Sequence, residues 1–242
     1  MDDRRRGILV SGDREMLIAN SRLVFSLGTR VVRTVLAALG DRLALEHIRW
    51  TGPTDAPAFE VEALSLTEVD AEGRIVAVIA FDPDDRRAAA LEMLERYAHS
   101  GAAREFPAAW FDGLRAVNAH DVDRLGALLS DDFVLIDHRR TGLGHLNAEG
   151  YVASLTVLIE ESPDFTTETL YGVAANQHGG LLVARNFGAW RDGGAFEQVY
   201  ARIGLMRGDR IVRVEMFELG ELDRARARFA ELCLAEQTKS GQ

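Results

Sequence analysis

At 242 residues with 47% hydrophobic content, the chain has room for one large or two small domains with sizeable cores. Its formal net charge of −10 and pI near 5.1 argue against a nucleic-acid or anionic-membrane partner, either of which needs a basic patch. The N-terminus Met1-Asp2-Asp3-Arg4 lacks a signal-peptide core and no apolar run reaches bilayer-spanning length, so the expected location is cytoplasmic.

The basic residues are almost all Arg, with Lys239 the only lysine, a usage that fits a high-GC bacterial source. The run Arg4-Arg5-Arg6 reads as a solvated terminus. Arg14 to Arg22 has the composition for one or two helical turns. Four strand-like segments follow, Val31–Leu36, Leu43–Ile48, Phe59–Leu66 and Ile75–Phe81. They are separated by Gly40-Asp41, Thr51-Gly52-Pro53 and Glu72-Gly73, the pattern of an antiparallel meander. Pro83-Asp84-Asp85 starts a helix whose apolar stripe is Ala88, Leu91, Leu94 and Tyr97 and which ends near His99. Ser100-Gly101-Ala102-Ala103 is the expected boundary, giving domains 1–100 and 101–242.

The second half begins with helices. Pro107 to Asn118 carries Trp110, Phe111, Leu114 and Val117 on one stripe, Asp121 caps a second helix, and Asn147 caps a third. Phe133 to Asp137 is a short strand. A second meander runs through Leu181–Arg185, Phe196–Met206 and Ile211–Phe217, and the helix Glu221 to Glu236 closes the chain. Lone Cys233, among Leu232, Leu234 and Ala235, allows no internal disulfide or cysteine metal site and reads as a core filler.

The meander and its closing helix occur twice. Arg74–Phe81 aligns without a gap on Arg210–Phe217, each preceded by an Ala-Phe-Glu strand, so both halves read as one building block. The expected fold class is α+β, with two cone-like units, each a curved antiparallel sheet with packed helices, and the first lacking most of its N-terminal helices. The open sheet of the first unit needs a cover: its own N-terminal segment, the second unit in an internal pseudo-dimer, or a homodimer partner.

The run Val117-Asn118-Ala119-His120-Asp121-Val122 through Ser130-Asp131-Asp132-Phe133-Val134-Leu135-Ile136-Asp137 resembles the opening of ketosteroid isomerases and SnoaL-type polyketide cyclases. These share the cone fold of nuclear transport factor two. The resemblance covers roughly residues 105 to 236, with 23 to 97 as a truncated copy. It implies that Asp137 is a general base with a carboxyl pKa raised at the mouth of an apolar pocket; the residues alone allow equally a turn aspartate or one paired with Arg139 or Arg140 on the surface. The isomerases' oxyanion-donating tyrosine falls on Gly113, and their second donor falls near Arg202, a permanent cation. An Asp–Arg–Glu set around a water would instead resemble the limonene epoxide hydrolase branch.

Period-two reading puts Gln198, Tyr200, Arg202, Gly204 and Met206 on one face of their strand, and Arg213, Glu215 and Phe217 on one face of the next. Either polar set would line a pocket or face water. The first-copy counterparts Ala77, Ile79 and Phe81 are apolar, so both faces of that strand are expected to be covered, and a covered Glu215 needs a partner or a ligand. The candidate catalytic residues are therefore Asp137, Arg202 and Glu215. Candidates for binding substrate are Trp110, His138, Tyr151, Trp190, Tyr200, Arg213 and Phe217. His138, next to Asp137, would point to the opposite side of a continuing strand. The histidines show no metal-ligand spacing, so no metal and no cofactor are expected. The leading function is acid–base chemistry on an apolar small molecule, isomerase-, cyclase- or epoxide-hydrolase-like. The alternative is a non-catalytic ligand-binding or dimerisation module of the same fold.

Overall fold

The computed structural model describes every residue except 7, 54–58, 102, 104, 105, 241 and 242, and the side chains of 236–240. The chain is α+β and divides into two compact units, Met1–Tyr97 and Ala98–Gln242. Ala102, within the expected boundary stretch, lies outside the described residues.

The first unit starts with two-residue strands β1 (Asp2–Asp3) and β2 (Val10–Ser11) and helix α1 (Arg14–Ser26). Strands β3 (Arg30–Leu39), β4 (Leu43–Thr51), β5 (Glu60–Val69) and β6 (Ile75–Phe81) form the meander, and helix α2 (Arg86–His99) follows. Gly73, at φ +77°, makes the β5–β6 turn in a conformation few other residues adopt. The sheet order is β2-β1-β6-β5-β4-β3, with β1 parallel to β6 so that Asp3 lies opposite Ala80. Directly paired residues share a face, so Leu45, Leu66 and Ile79 form one fully buried row across β4, β5 and β6. On the other face Val35, Val61 and Val76 remain 62%, 42% and 58% exposed. Within the first unit, Val76 at the start of β6 is left exposed by the described residues.

Two corrections concern the N-terminus. α1 has 13 residues rather than one or two turns, capped by the Asp13 carboxylate on the Met16 amide, and none of its residues is buried. The Arg4-Arg5-Arg6 run is not a free solvated end. Arg5 holds Asp3 through Nε and Nη2 at 2.9 and 2.7 Å, Arg4 bridges Asp2 and Glu92, and Arg6 reaches Asp82 and Asp84.

The second unit contains α3 (Ala108–Asn118), α4 (Val122–Leu128), β7 (Leu129–Asp137), β8 (His145–Leu146) and α5 (Ala148–Glu161). Then come β9 (Thr166–Asn176), β10 (Gly179–Ala189), β11 (Ala195–Arg207), β12 (Arg210–Glu218) and α6 (Leu222–Ser240). Its sheet order, β8-β7-β12-β11-β10-β9, with β7 parallel to β12, repeats that of the first unit strand for strand. The duplication is therefore more complete than the sequence suggests. What the first unit lacks is α3 and α4.

On one sheet face, Leu181, Ile203 and Phe217 pack with Phe229, Leu232 and Cys233 of α6, and each large side chain so buried contributes about 1.5–3 kcal/mol. On the other face lie α3, α4 and α5. The segment carrying the sequence resemblance has a structural task here. Asn118 exchanges two hydrogen bonds with the backbone of Thr167 at 2.9 and 3.0 Å, and His120, at φ +59°, sets Nε2 2.8 Å from the Phe165 carbonyl oxygen. Asp121 caps α4 on the Arg124 amide. These contacts fix the α3–α4 corner against the start of β9 and so shape one wall of a cavity.

Candidate functional site

A cavity of about 210 Å³ lies in the second unit between the inner sheet face and the helices, and a smaller lobe of about 40 Å³ shares Val117, Tyr151 and Arg202 with it. For scale, an apolar cavity near 150 Å³ takes up benzene. Alternation along β11 turns Gln198, Tyr200 and Arg202 toward the cavity, and β12 contributes Met216. Gly204 lets the Trp110 ring lie directly on β11, where a Cβ would overlap it, and this brings the ring 5.4 Å from the Arg202 guanidinium carbon. Gly113, where the isomerase tyrosine would fall, packs against Ile211 in the wall of the small lobe.

Asp137 ends β7, where its carboxylate is fully engaged. Its carboxylate takes Nε and Nη2 of Arg139 at 2.9 and 2.8 Å, the Arg139 amide at 3.2 Å and the Leu143 amide at 2.9 Å. Gly142 closes over it so tightly that any side chain there would overlap the carboxylate. Burial alone would raise its pKa, but Arg139 and the Leu143 amide outweigh that and hold the carboxyl below its ordinary value. This is opposite in direction to the shift expected of a general base. The group ties the 138–144 turn to the end of the strand.

Glu215 does not join Arg202 in one site. The β11–β12 register sets Arg202 opposite Met216 and Ile203 opposite Glu215, so the two ionised side chains leave opposite faces of the sheet. Glu215 is fully buried on the α6 face, where it accepts from Arg213 at 2.9 Å and from Arg228 at 3.2 Å and lies 3.0 Å from His138 Nε2. Burial pushes its pKa up, yet Arg228, His138 and Arg213 together bring it below the ordinary value. This is a structural ion cluster.

Of the residues expected to bind substrate, Trp110, Tyr151 and Tyr200 line the cavity or its small lobe. The others lie elsewhere. His138 stacks on Phe217 at 4.4 Å on the α6 face, together with Arg213, because β7 turns alternate side chains to opposite sides. Trp190 is 40% exposed and stacks on Phe196 beside the β10–β11 turn. Sequence reasoning missed Asn186, Gln198 and Thr167 as cavity lining. Gln198 shared the period-two face of Arg202, and Asn186 is its cross-strand partner, so a register would have revealed both. Arg139, which the sequence offers as a surface partner of Asp137 or as an anion clamp, is a part-buried partner of Asp137 at the cavity wall.

The polar groups of the cavity fall into two sets. Arg139 stacks over Tyr200 at 4.6 Å and reaches Gln198 at 3.3 Å, and the Tyr200 hydroxyl donates to Asn186 at 3.1 Å. These groups satisfy one another. Arg202, only 8% exposed, makes no hydrogen bond or ion pair among the described residues, and its Nε is a buried donor without an acceptor. Beside it, Tyr151 is a neutral phenol at physiological pH, its pKa pushed up to about 12 by burial against the opposing pull of Arg202. No group of three or more His, Cys, Asp or Glu among the described residues is placed to hold a metal, and no helix among them is long and apolar enough to cross a membrane.

No family model matches the chain, and no curated protein matches it. Solved structures similar to it are nuclear transport factor two-like and ketosteroid isomerase-like fold proteins. A cystatin-fold protein from Novosphingobium aromaticivorans is 22% identical and covers 46% of this chain and 95% of its own, with a TM-score of 0.36. A Mycobacterium tuberculosis protein, in complex with estradiol-17β-hemisuccinate, is 17% identical over 46% of this chain and 92% of its own, with a TM-score of 0.41. A ketosteroid isomerase-like fold protein from Catenulispora acidiphila, in complex with trimethylamine, is 15% identical over 47% of this chain and 88% of its own, with a TM-score of 0.40.

Proposed function

We propose that the second unit is a small-molecule binding module whose cavity receives a largely apolar ligand and performs no proton transfer. The observation that carries this reading is the fate of the carboxylates. Asp137 is consumed by Arg139 and the turn it closes, and Glu215 lies on the far face of the sheet with three basic partners. A general base must come within hydrogen-bond reach of a substrate proton. Among the described residues, the cavity lining contains no carboxylate and no histidine to do so. Its walls, among them Val117, Leu155, Leu158, Phe165 and Met216, suit hydrocarbon instead, which is the usual make-up of a ligand site.

The test pairs binding with turnover. Native mass spectrometry and calorimetry against a panel of small aromatic and aliphatic compounds are expected to give saturable binding. Ser154→Phe, which fills the cavity from α5, is expected to remove it. Incubation of enolisable ketones in heavy water, followed by NMR, is expected to give no α-proton exchange above buffer. Exchange that disappears in Asp137→Asn would overturn this reading in favour of an isomerase-like enzyme.

A further inference from the structure

We propose that the ligand of this cavity is an organic carboxylate, its anionic end seated on Arg202 and Tyr151 and its apolar body in the larger lobe. The inference rests on the binding-module reading and deepens it. Three observations lead to it.

First, Arg202 is a permanent cation, more than nine-tenths buried and without any hydrogen-bond or ion-pair partner among the described residues. The Trp110 face lies 5.4 Å from its guanidinium carbon. An isolated buried charge costs several kcal/mol, more than a cation–π contact of about 0.5–2 kcal/mol returns. Its Nε is buried and orphaned, and an anion brought into the cavity would offset that cost. Second, the phenol of Tyr151 lines both lobes with Arg202 and, as a neutral hydroxyl, donates to no described group. A fork of guanidinium donors beside one phenolic donor suits the two coplanar oxygens of a carboxylate.

Third, the charge in the cavity amounts to one free unit. The other guanidinium at its wall, Arg139, is already neutralised by Asp137. A single carboxylate balances Arg202, whereas a phosphate dianion would be left with excess negative charge among leucine, valine and phenylalanine side chains. Of the remaining polar lining groups, Arg139, Gln198, Tyr200 and Asn186 bond one another and Ser154 bonds the Tyr151 carbonyl, while the uncharged Thr167 hydroxyl is buried without a partner.

The experiment uses the full chain and matched pairs of acids and their isosteric primary amides: 3-phenylpropanoic acid with its amide, and straight-chain acids of four to ten carbons with theirs. Affinities are measured by calorimetry at neutral pH. The expected result is an acid-over-amide preference of at least about tenfold in the best-fitting pair, as a charge-assisted hydrogen bond provides. Arg202→Met is expected to bring that ratio to about one, and Arg202→Lys to leave an intermediate ratio. Ligand-free Arg202→Met is expected to melt above the parent, since it exchanges an uncompensated charge for an apolar chain of similar length.

Acids and amides that bind equally, with binding lost in Ser154→Phe, would overturn the carboxylate assignment while the binding module stands. If no pair binds, or binding ignores Ser154→Phe, both readings fail together. A lowered melting point in Arg202→Met also overturns the assignment, because it means that the guanidinium already has a stabilising role in the empty protein.

Discussion

Replacing Asp137 by Asn separates a structural carboxylate from a chemical one. Asparagine keeps the shape and one acceptor oxygen, so Nε and the amide of Arg139 still find a partner. Its amide nitrogen, however, then meets Nη2 of Arg139 or the N–H of Leu143, donor against donor. A hydrogen bond to an ionised group contributes about 1.5–3 kcal/mol, and stripping one member from a fully buried pair costs about 3–5 kcal/mol. The Arg139 side chain is 14% exposed, so water recovers part of that, and the expected loss is about 2–4 kcal/mol. For a unit of this size that lowers the melting temperature by roughly 5–15 °C.

The measurement is urea unfolding in a Trp50→Phe background, where Trp110 and Trp190 report on the second unit alone. The pH dependence carries the stronger test. The folded-state pKa of Asp137 lies below its unfolded value, so its contribution is complete above about pH 4 and is lost as pH falls through the folded pKa. The gap between parent and variant is therefore flat from neutrality down to about pH 5 and closes only in stronger acid. A loss under about 0.5 kcal/mol, within the range of ordinary surface changes, or a gap that changes between pH 5 and 8, refutes the clamp and restores a raised pKa.

Two further substitutions follow from the same geometry. Asp3→Asn removes the matching clamp in the first unit, where Arg5 is 20% exposed and β1 has only two residues; Trp50 fluorescence is expected to register about 0.5–2 kcal/mol, and a cost above that of Asp137→Asn contradicts the ranking by burial. Glu215→Gln leaves three basic groups facing a neutral amide, two of them arginines with side chains 27% and 37% exposed; unfolding at pH 7 is expected to show a loss of about 1.5–3 kcal/mol that vanishes in acid below about pH 4, because the folded pKa of Glu215 is also lowered. Ligand affinity in that variant is expected to be unchanged, and a loss of affinity in a folded protein would contradict the β11–β12 register.

The meanders and five of the helices were legible because their signals are local. Alternating residues mark β5, a continuous apolar run marks β6, and Asp121 and Asn147 are side-chain caps that the structure bears out on Arg124 and Gly150. β1, β2 and β8 were not legible, since two residues are too few for any period to show. Site assignment failed at a different level. Alternation gave the face-sharing sets within β11 and within β12, but relating the sets requires the register between strands. Gly204 lies opposite Val214 and Ile203 opposite Glu215, and a slip of one residue would have put Glu215 beside Arg202 in the cavity. The pairing of Asp137 with Arg139 in a turn was one of two readings open from the sequence, and the choice between them depends on backbone bonds such as Asp137 N–H to Gly144 O at 2.8 Å.

Comparison of the two copies separates compensated charges from uncompensated ones. In the first unit the residue after Asp3 is Arg4, which lies over Phe81 and bonds Glu92 of α2. In the second, the residue after Asp137 is His138, which stacks on Phe217 and meets Glu215, and Glu215 in turn holds Arg228 of α6. Glu92 and Arg228 each stand eleven residues beyond the matched phenylalanines. The tie between the turn and the closing helix thus survives with its charges rearranged, and Glu215, where the first copy has Ile79, answers changes on either side of it. Arg202 has no such answer. The register gives it Ser65 as its first-unit counterpart, since Ser65 pairs with Ala80 as Arg202 pairs with Met216. The first-unit counterparts of Gln198, Tyr200 and Gly204, namely Val61, Ala63 and Thr67, are uncharged too. A charge that appeared in one copy without a partner elsewhere in its unit is a poor candidate for a stability device, because it makes the empty protein less stable. It is accounted for by something that the empty protein does not contain.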